Sequence, residues 1–437
     1  MGVQSRHLRE VRGRRGALLL GFGAVGCLLL APAALAASSQ YPAPATRPAL
    51  RISRSELTHR ARKPRPKHSA HSRKRRQERA LPPDAARALA AYEEMQAYYY
   101  VRGSGGLYRG EPFAYLWPYS QALAATVSMA NIRGIADPGR GSFRREIHKR
   151  LMGLGAYLDT TNSDQPEGTF KSTLAAYDGE VAPPAGPGGP KYYDDNDWVG
   201  IELVRLFKLT HEPALLGSAD GIMAFEMAAW ETGPHLACPG GIPFSNEQAN
   251  DTRNTVTNAP TAELGVELYE LTGDAQYLDF AEMDYEWVRS CLLEPNGLYA
   301  DHINARGTVN TSLWSYNQAT MIGAGTLLYQ ATGDSGYLYQ ARQAARAALS
   351  YYTLERLDGE LPFFVSVYLR NLLYLDSVTH DPPGPKLAQA YVNNAWQNWR
   401  LSGNLFAWGS PPSAQLLVQA GIVQICALLS SPQSTYF

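Results

Sequence analysis

The chain has 437 residues, 45% of them hydrophobic, and a formal net charge of zero, a length that exceeds one ordinary domain unless the architecture is large or repetitive. The neutrality is composite: residues 1–80 hold 18 Lys+Arg against Glu10, Glu56 and Glu78, leaving 22 bases and 37 acids, a net of −15, for residues 81–437. An acidic folded part argues against a nucleic-acid partner, whose phosphates require a basic surface.

In chain order, MGVQSRHLREVRGRR carries five arginines and is followed by the apolar run ALLLGFGAVGCLLLAPAALA. This basic, apolar, A-x-A order predicts a signal peptide over 1–36, cleaved after Ala36. Pro32 and the alanines suit a peptidase site, and an uncleaved anchor is the alternative because the run approaches spanning length. Gly26-Cys27 lies within the apolar run and gives only a weak lipoprotein signal. Residues 37–81 are basic and poor in large apolar side chains, so they read as a disordered linker. That linker suits an anionic cell-wall polymer as partner, or serves as a solvated spacer. The expected location is secreted or cell-envelope associated.

From residue 82 the apolar pattern is helical. Twelve segments are predicted, near 83–101, 119–132, 141–158, 195–210, 213–231, 257–272, 275–291, 313–332, 335–351, 361–376, 384–401 and 411–430. Alternation of period two is nowhere sustained. A repeat runs through them: LFKLTHEPALLGSAD begins at Leu206, LYELTGDAQYLDFAE at Leu268 and LYQATGDSGYLYQAR at Leu328, spaced by 62 and 60 residues. Each copy closes one helix, turns at Thr-His-Glu or Thr-Gly-Asp, and starts another. Gly273 and Gly333 suit a left-handed C-cap, and Asp274 and Asp334 can cap the next helix. Residues 82–437, 356 in all, divide into about six such hairpins. The predicted fold class is therefore all-α, an (α/α)6 toroid in one domain, with an open solenoid as the alternative.

Beyond the leader three cysteines remain. Cys426 lies in GIVQICALL and reads as core, whereas Cys238 and Cys291 could form one disulfide, a pairing that spacing leaves open. No Cys/His cluster has metal-ligand spacing, and no cofactor is expected. Long loops precede Asp194, the helix near 257 and the helix near 313, and loops of that length need a role. If the helices they enter form the inner ring, these loops converge on one rim of a central cleft.

On that rim KYYDDNDWVG, residues 191–200, sets Asp194 and Asp195 at a helix start. Carboxylates there also serve as caps, stabilised by free N–H groups and the helix dipole. Glycoside hydrolysis adds a sharper requirement, two carboxyls of opposed protonation, about 5–5.5 Å apart in retaining enzymes and about 6.5–9.5 Å in inverting ones. Consecutive helical residues diverge by about 100°, which lets such a pair flank a sugar. The helix N-terminus would keep one acid ionised, and repulsion would raise the other. Tyr192, Tyr193 and Trp198 offer surfaces for sugar C–H groups or pack beneath the loop. Asp197 reads as a first-turn charge.

With these residues the chain resembles glycoside hydrolase family 76, best known for endo-α-1,6-mannanase activity. The resemblance runs from about residue 90 to 400. It rests on YYDDNDW, on RNTVTNAPTAELGVELYELTGDAQYLDFAEMDYEWV, on SLWSYNQATMIGAGTLLYQATG and, more weakly, on FFVSVYLRNLL. It implies a retaining hydrolase of α-1,6-linked mannan-type polysaccharide, with Asp194 as nucleophile and Asp195 as general acid/base. Tyr193, Trp198, Asn254, Asn258, Asp301, Trp314, Tyr316, Asn317, Gln318 and Arg370 are the implied substrate contacts. The chain departs from the family at Val199, where a second tryptophan is frequent, and that substitution suggests an altered subsite wall. A non-catalytic cell-wall glycan-binding protein, or a toroid glycosidase acting on another envelope polysaccharide, is the alternative. An epimerase is disfavoured because its inner helices would need histidines. An unsaturated-uronide hydrolase would need basic cleft residues that are scarce here.

Overall fold

Two kinds of helix alternate along the chain, and their burial separates them. The computed structural model describes residues 81–132, 134–135, 142–160, 174–381 and 383–437. The predicted leader 1–36, nearly all of the basic segment 37–81, and residues 161–173 of the loop before Asp194 lie outside the described residues. The described part belongs to one compact unit that runs from residue 76 to 437.

The first half comprises α1 (Pro83–Tyr99), α2 (Leu116–Ala130), α3 (Ser142–Leu154), β1 (Leu158–Asp159), β2 (Ala176–Tyr177), α4 (Tyr193–Thr210), α5 (Pro213–Ala228), β3 (Thr252–Asn254) and α6 (Thr255–Thr272). The second comprises α7 (Ala275–Leu292), β4 (His302–Asn304), β5 (Val309–Asn310), α8 (Ser315–Thr332), α9 (Ser335–Tyr351), α10 (Leu354–Asp358), α11 (Pro362–Thr379), α12 (Gly384–Asn398), β6 (Ala407–Trp408), β7 (Ser413–Ala414) and α13 (Leu416–Leu428).

In α13 every residue of LLVQAGIVQICAL is buried, as expected of a helix apolar on all sides. In α9 the sequence SGYLYQARQAARAALSY buries only Ala341, Ala344, Ala345 and Ala348, a single stripe at helical spacing. The first kind forms the inner ring: α2, α4, α6, α8, α11 and α13 pack in that order, and α13 returns to α2. The outer helices α1, α3, α5, α7, α9 and α12 pack against this ring. The (α/α)6 toroid is thus closed.

Each repeat turn joins the C-terminus of an inner helix to an outer one. His211, Gly273 and Gly333 take the left-handed C-cap. Asp274 accepts from the Gln276 N–H at 3.1 Å, and Asp334 from the Gly336 N–H at 2.7 Å. The short turns therefore occupy one rim and the long loops the other. On the long-loop rim β3, β4 and β5 pair antiparallel, with Asn254 opposite His302. A Cys238–Cys291 disulfide ties the loop before α6 to the end of α7, and Cys426 is a buried free thiol.

The expected helices near 119–132, 195–210 and 257–272 begin two or three residues earlier in the structure. The segment expected at 411–430 begins only at Leu416, because Ser413–Ala414 is extended and pairs with β6. The five-residue α10 carries no periodic signal of its own.

Candidate active site

The approach to α4 is fixed from below. Lys191 is wholly buried, and its Nζ lies 2.8 Å from Asp159 and 2.9 Å from Asp178. Two residues on, the Tyr193 N–H donates to the Phe244 carbonyl, so the first turn of the helix is presented rigidly to the rim.

Asp194 and Asp195 occupy that turn, Asp194 half-buried and Asp195 buried. Burial pushes Asp194 up to about 7. The first-turn N–H groups of Asp195 and Asp194 itself oppose the shift, and the nearby charge of Asp301 adds to it. Burial also drives Asp195 well above the usual carboxylate range, the Asp194 charge adds to this, and the Trp117 backbone N–H pulls the other way. Two backbone N–H groups oppose the shift at Asp194 and one opposes it at Asp195, so the two acids stand in unlike surroundings.

Aromatic rings from three other helix starts crowd beside the pair. Phe364 lies between Tyr316, stacked at 4.0 Å, and Trp117, stacked at 6.1 Å. Trp314 leans on Phe364 at 5.7 Å, and Trp198 meets Phe363 edge-on at 5.6 Å. Tyr316 lies within the electrostatic reach of Asp301, Asp194 and Glu360. Asp301 is held by His302 Nδ1 at 2.9 Å and, more loosely, by Asn317 Nδ2 at 3.5 Å. Among the described residues, Asp194 Oδ1, Asn254 Oδ1 and Asn317 Oδ1 are buried oxygens with no hydrogen-bond partner. The rim therefore gathers Asp194, Asp195, Asn254, Asp301, Trp314, Tyr316 and Asn317.

The other residues expected to touch substrate lie elsewhere. Tyr193 is 1% exposed and stacks on Phe225 at 4.5 Å, within the core. Trp198 is buried behind Phe363. Asn258 uses its whole carboxamide on backbone: Oδ1 accepts from the Ile242 N–H, and Nδ2 donates to the Ile242 and Asn254 carbonyls. Gln318 does the same with Tyr299, and also reaches the Trp314 carbonyl. Arg370 is buried among the inner helices, donating to Glu202 on α4 at 3.2 Å and to Gln424 on α13 at 2.9 Å. Val199 is completely buried, so the departure from the family at this position alters core packing and not a wall of the cleft.

Two residues overlooked in the sequence contribute here. Trp117 fell just outside the predicted helix, which began too late at residue 119, although an aromatic at a helix start on the long-loop rim is a usable signal. Glu360 accepts from the Ser315 backbone N–H at 3.1 Å and from its hydroxyl, which fixes the start of α8, and burial pushes Glu360 up to about 7. Nothing in LDGELPFF marks it locally.

The family model described as Glycosyl hydrolase family 76 matches residues 84–361. Among curated proteins, the mannan endo-1,6-alpha-mannosidase DCW1 of Saccharomyces cerevisiae is 27% identical over 151 residues, 32% of this chain and 33% of that protein. DCW1 of Candida albicans is 26% identical over 196 residues, 41% of this chain and 40% of that protein. The chain thus spans well under half the length of either relative. Among solved structures, a glycoside hydrolase family 76 mannosidase, Bt3792 from Bacteroides thetaiotaomicron, matches with a TM-score of 0.69 at 20% identity, over 79% of this chain and 98% of that one. An inactive variant of the alpha-1,6-mannanase of Salegentibacter sp., with two successive aspartates changed to asparagine and alpha-1,6-mannotriose bound, matches with a TM-score of 0.62 at 21% identity, over 79% and 99%.

Proposed function

The chain belongs to glycosyl hydrolase family 76 and is a glycoside hydrolase, and from that premise we propose that it cleaves α-1,6-linked mannan by a retaining mechanism. Asp194 attacks the anomeric carbon, and Asp195 protonates the leaving oxygen and then activates water. The observation that carries this reading is the pair itself, two adjacent carboxyls with unlike surroundings on the first turn of α4. The helix N-terminus favours charge on Asp194, and burial with like-charge repulsion keeps the proton on Asp195. The substrate class comes from the relatives, which act on or bind α-1,6-linked mannose chains. Asn254, Asn317, Asp301, Trp314 and Tyr316 are the proposed glycan contacts.

A binding-only role loses its main motive, because Val199 lies in the core and the acidic pair is intact. Export under the 1–36 leader, and retention on anionic envelope polymers through the basic segment, belong to this proposal on the residue pattern alone.

The test is product analysis on linear α-1,6-mannan, with the full chain beside the Asp194→Asn/Asp195→Asn double variant. Short manno-oligosaccharides should come from the wild type alone. The reading fails if the folded wild type releases none, or if the double variant releases them equally well.

A further inference from the structure

Asp197 reads in the sequence as a first-turn charge, yet its side chain is completely buried, one turn below Asp194 on α4. Its carboxyl oxygens lie 3.1 and 2.9 Å from Thr261 Oγ1 on α6, and the same hydroxyl lies 2.8 Å from the Thr257 carbonyl. A threonine hydroxyl has one hydrogen. Given to Thr257, it leaves an ionised Asp197 facing the lone pairs of Oγ1. Given to Asp197, it leaves the Thr257 contact without a hydrogen. Both contacts are satisfied together when Asp197 carries a proton and donates it to Oγ1.

Two neighbours point the same way. Glu226 on α5 and Asp284 on α7 are completely buried, and among the described residues no donor reaches any of their four carboxyl oxygens. The groups facing Asp197 are Asp194, Glu263 and Asp284. Those facing Glu226 are Asp194, Asp197 and Asp284, with Tyr193 alongside. All are acids, with no basic side chain among them. Burial pushes all three carboxyls up, and repulsion adds to the shift at Asp197 and Glu226. A carboxylate removed from water without donor or counter-ion takes up a proton instead. Among the described residues no group of three or more His, Cys, Asp or Glu is arranged to hold a metal ion.

We propose that Asp197, Glu226 and Asp284 form a store of protonated carboxyls between α4, α5, α6 and α7, with Asp197 as a positioning residue that gives the reactive pair an uncharged polar floor. An ionised Asp197 one turn below would oppose the negative charge on Asp194, and a neutral one does not. The store also couples folding to protons. In the unfolded chain these acids titrate near pH 4, so above that range unfolding releases three protons. The unfolding constant then rises about tenfold per pH unit for each proton, about a thousandfold for the three. The catalytic part of this proposal rests on reading Asp194 and Asp195 as the reactive pair, whereas the coupling to folding does not.

The test combines urea unfolding of the full chain at pH 5, 6 and 7 with pH–rate profiles on α-1,6-mannan. Asp197→Asn and Glu226→Gln should each weaken the pH dependence of the unfolding constant by about tenfold per pH unit. Asp197→Asn should leave both limbs of the pH–rate profile where the wild type has them. If Asp197→Asn fails to fold, Glu226→Gln and Asp284→Asn, which have no hydrogen bond to lose, carry the unfolding measurement. An unchanged pH dependence of unfolding in these variants overturns the proposal. So does a shift of both limbs to lower pH in Asp197→Asn, the signature of removing a real charge beside the pair. A folded wild type that cleaves no mannan defeats the functional reading and leaves the unfolding arm to decide this one.

Discussion

Arg370 and Asp194 both belong to inner helices, and their depth separates their roles. Asp194 is the second residue of α4, whereas Arg370 stands eight residues below the start of α11 at Pro362, about 12 Å down the axis at 1.5 Å per residue. There it meets Glu202, which Arg205 also contacts at 2.7 Å. Burial and the nearby Arg205 charge lower Arg370 to about 10. Arg370→Met should therefore reduce stability, by up to about 3 kcal/mol since Arg205 still pairs with Glu202, and leave KM for mannan unchanged. Urea midpoints and kinetics of the folded variant check this, and a raised KM with unchanged stability would return Arg370 to the glycan. The distance of a residue from its predicted helix start is readable in the sequence, and for Arg370 it pointed inward. Glu360 had no such signal, because its partner Ser315 is 45 residues away.

At the scale of elements, one device recurs on four inner helices. Asn196, Asn258, Gln318 and Gln419 each stand four residues beyond the extended residue that precedes their helix. Each carboxamide accepts from and donates to a loop segment, at Tyr177, Ile242 and Tyr299 for the first three. Gln419 accepts from Phe406 and donates to Ala91 and Asn404. These amides clamp the long loops onto the rim. Asn196, Asn258 and Gln318 follow the same spacings of 62 and 60 as the repeat, ten residues ahead of Leu206, Leu268 and Leu328. The repeat therefore carried the clamp in plain view, and its periodicity marks a structural role, since a site residue has no reason to recur in every hairpin. Asn258→Ala leaves a buried N–H and carbonyl of Ile242 without partners. It should cost about 2–4 kcal/mol, with a lower melting temperature and an unaltered product pattern from the folded fraction. Full stability together with lost mannan binding would reverse the assignment.

The whole molecule sets activity and stability against each other across pH. Turnover requires a charge on Asp194, which burial raises to about 7, so kcat/KM should fall as pH drops below about 7. A limb near pH 4 instead would mean that the site is wetter than its burial implies. Stability runs oppositely. A carboxyl raised in the folded state contributes stability fully below its unfolded value and loses it as pH rises toward its folded value. For Asp194 that window is about 4 to 7, and for Asp195, Asp197, Glu226, Glu263 and Asp284 the direction is the same. Each such proton is worth about 1.4 kcal/mol per pH unit. The domain should thus unfold more readily at neutral pH, where it works best, than in mild acid.

The helices, the six hairpins, their capped turns and the acidic pair at the start of α4 were determined by the sequence alone. Apolar periodicity, caps and repeat spacing depend on neighbours a few residues away, and those neighbours are written in order. The Cys238–Cys291 pairing, the Glu202–Arg370–Gln424 contacts, the Glu360–Ser315 contact and the acid store were decided only by the tertiary structure. Each joins side chains from separate helices or loops, and whether a charge or thiol there faces water, a partner or another acid depends on closure of the ring.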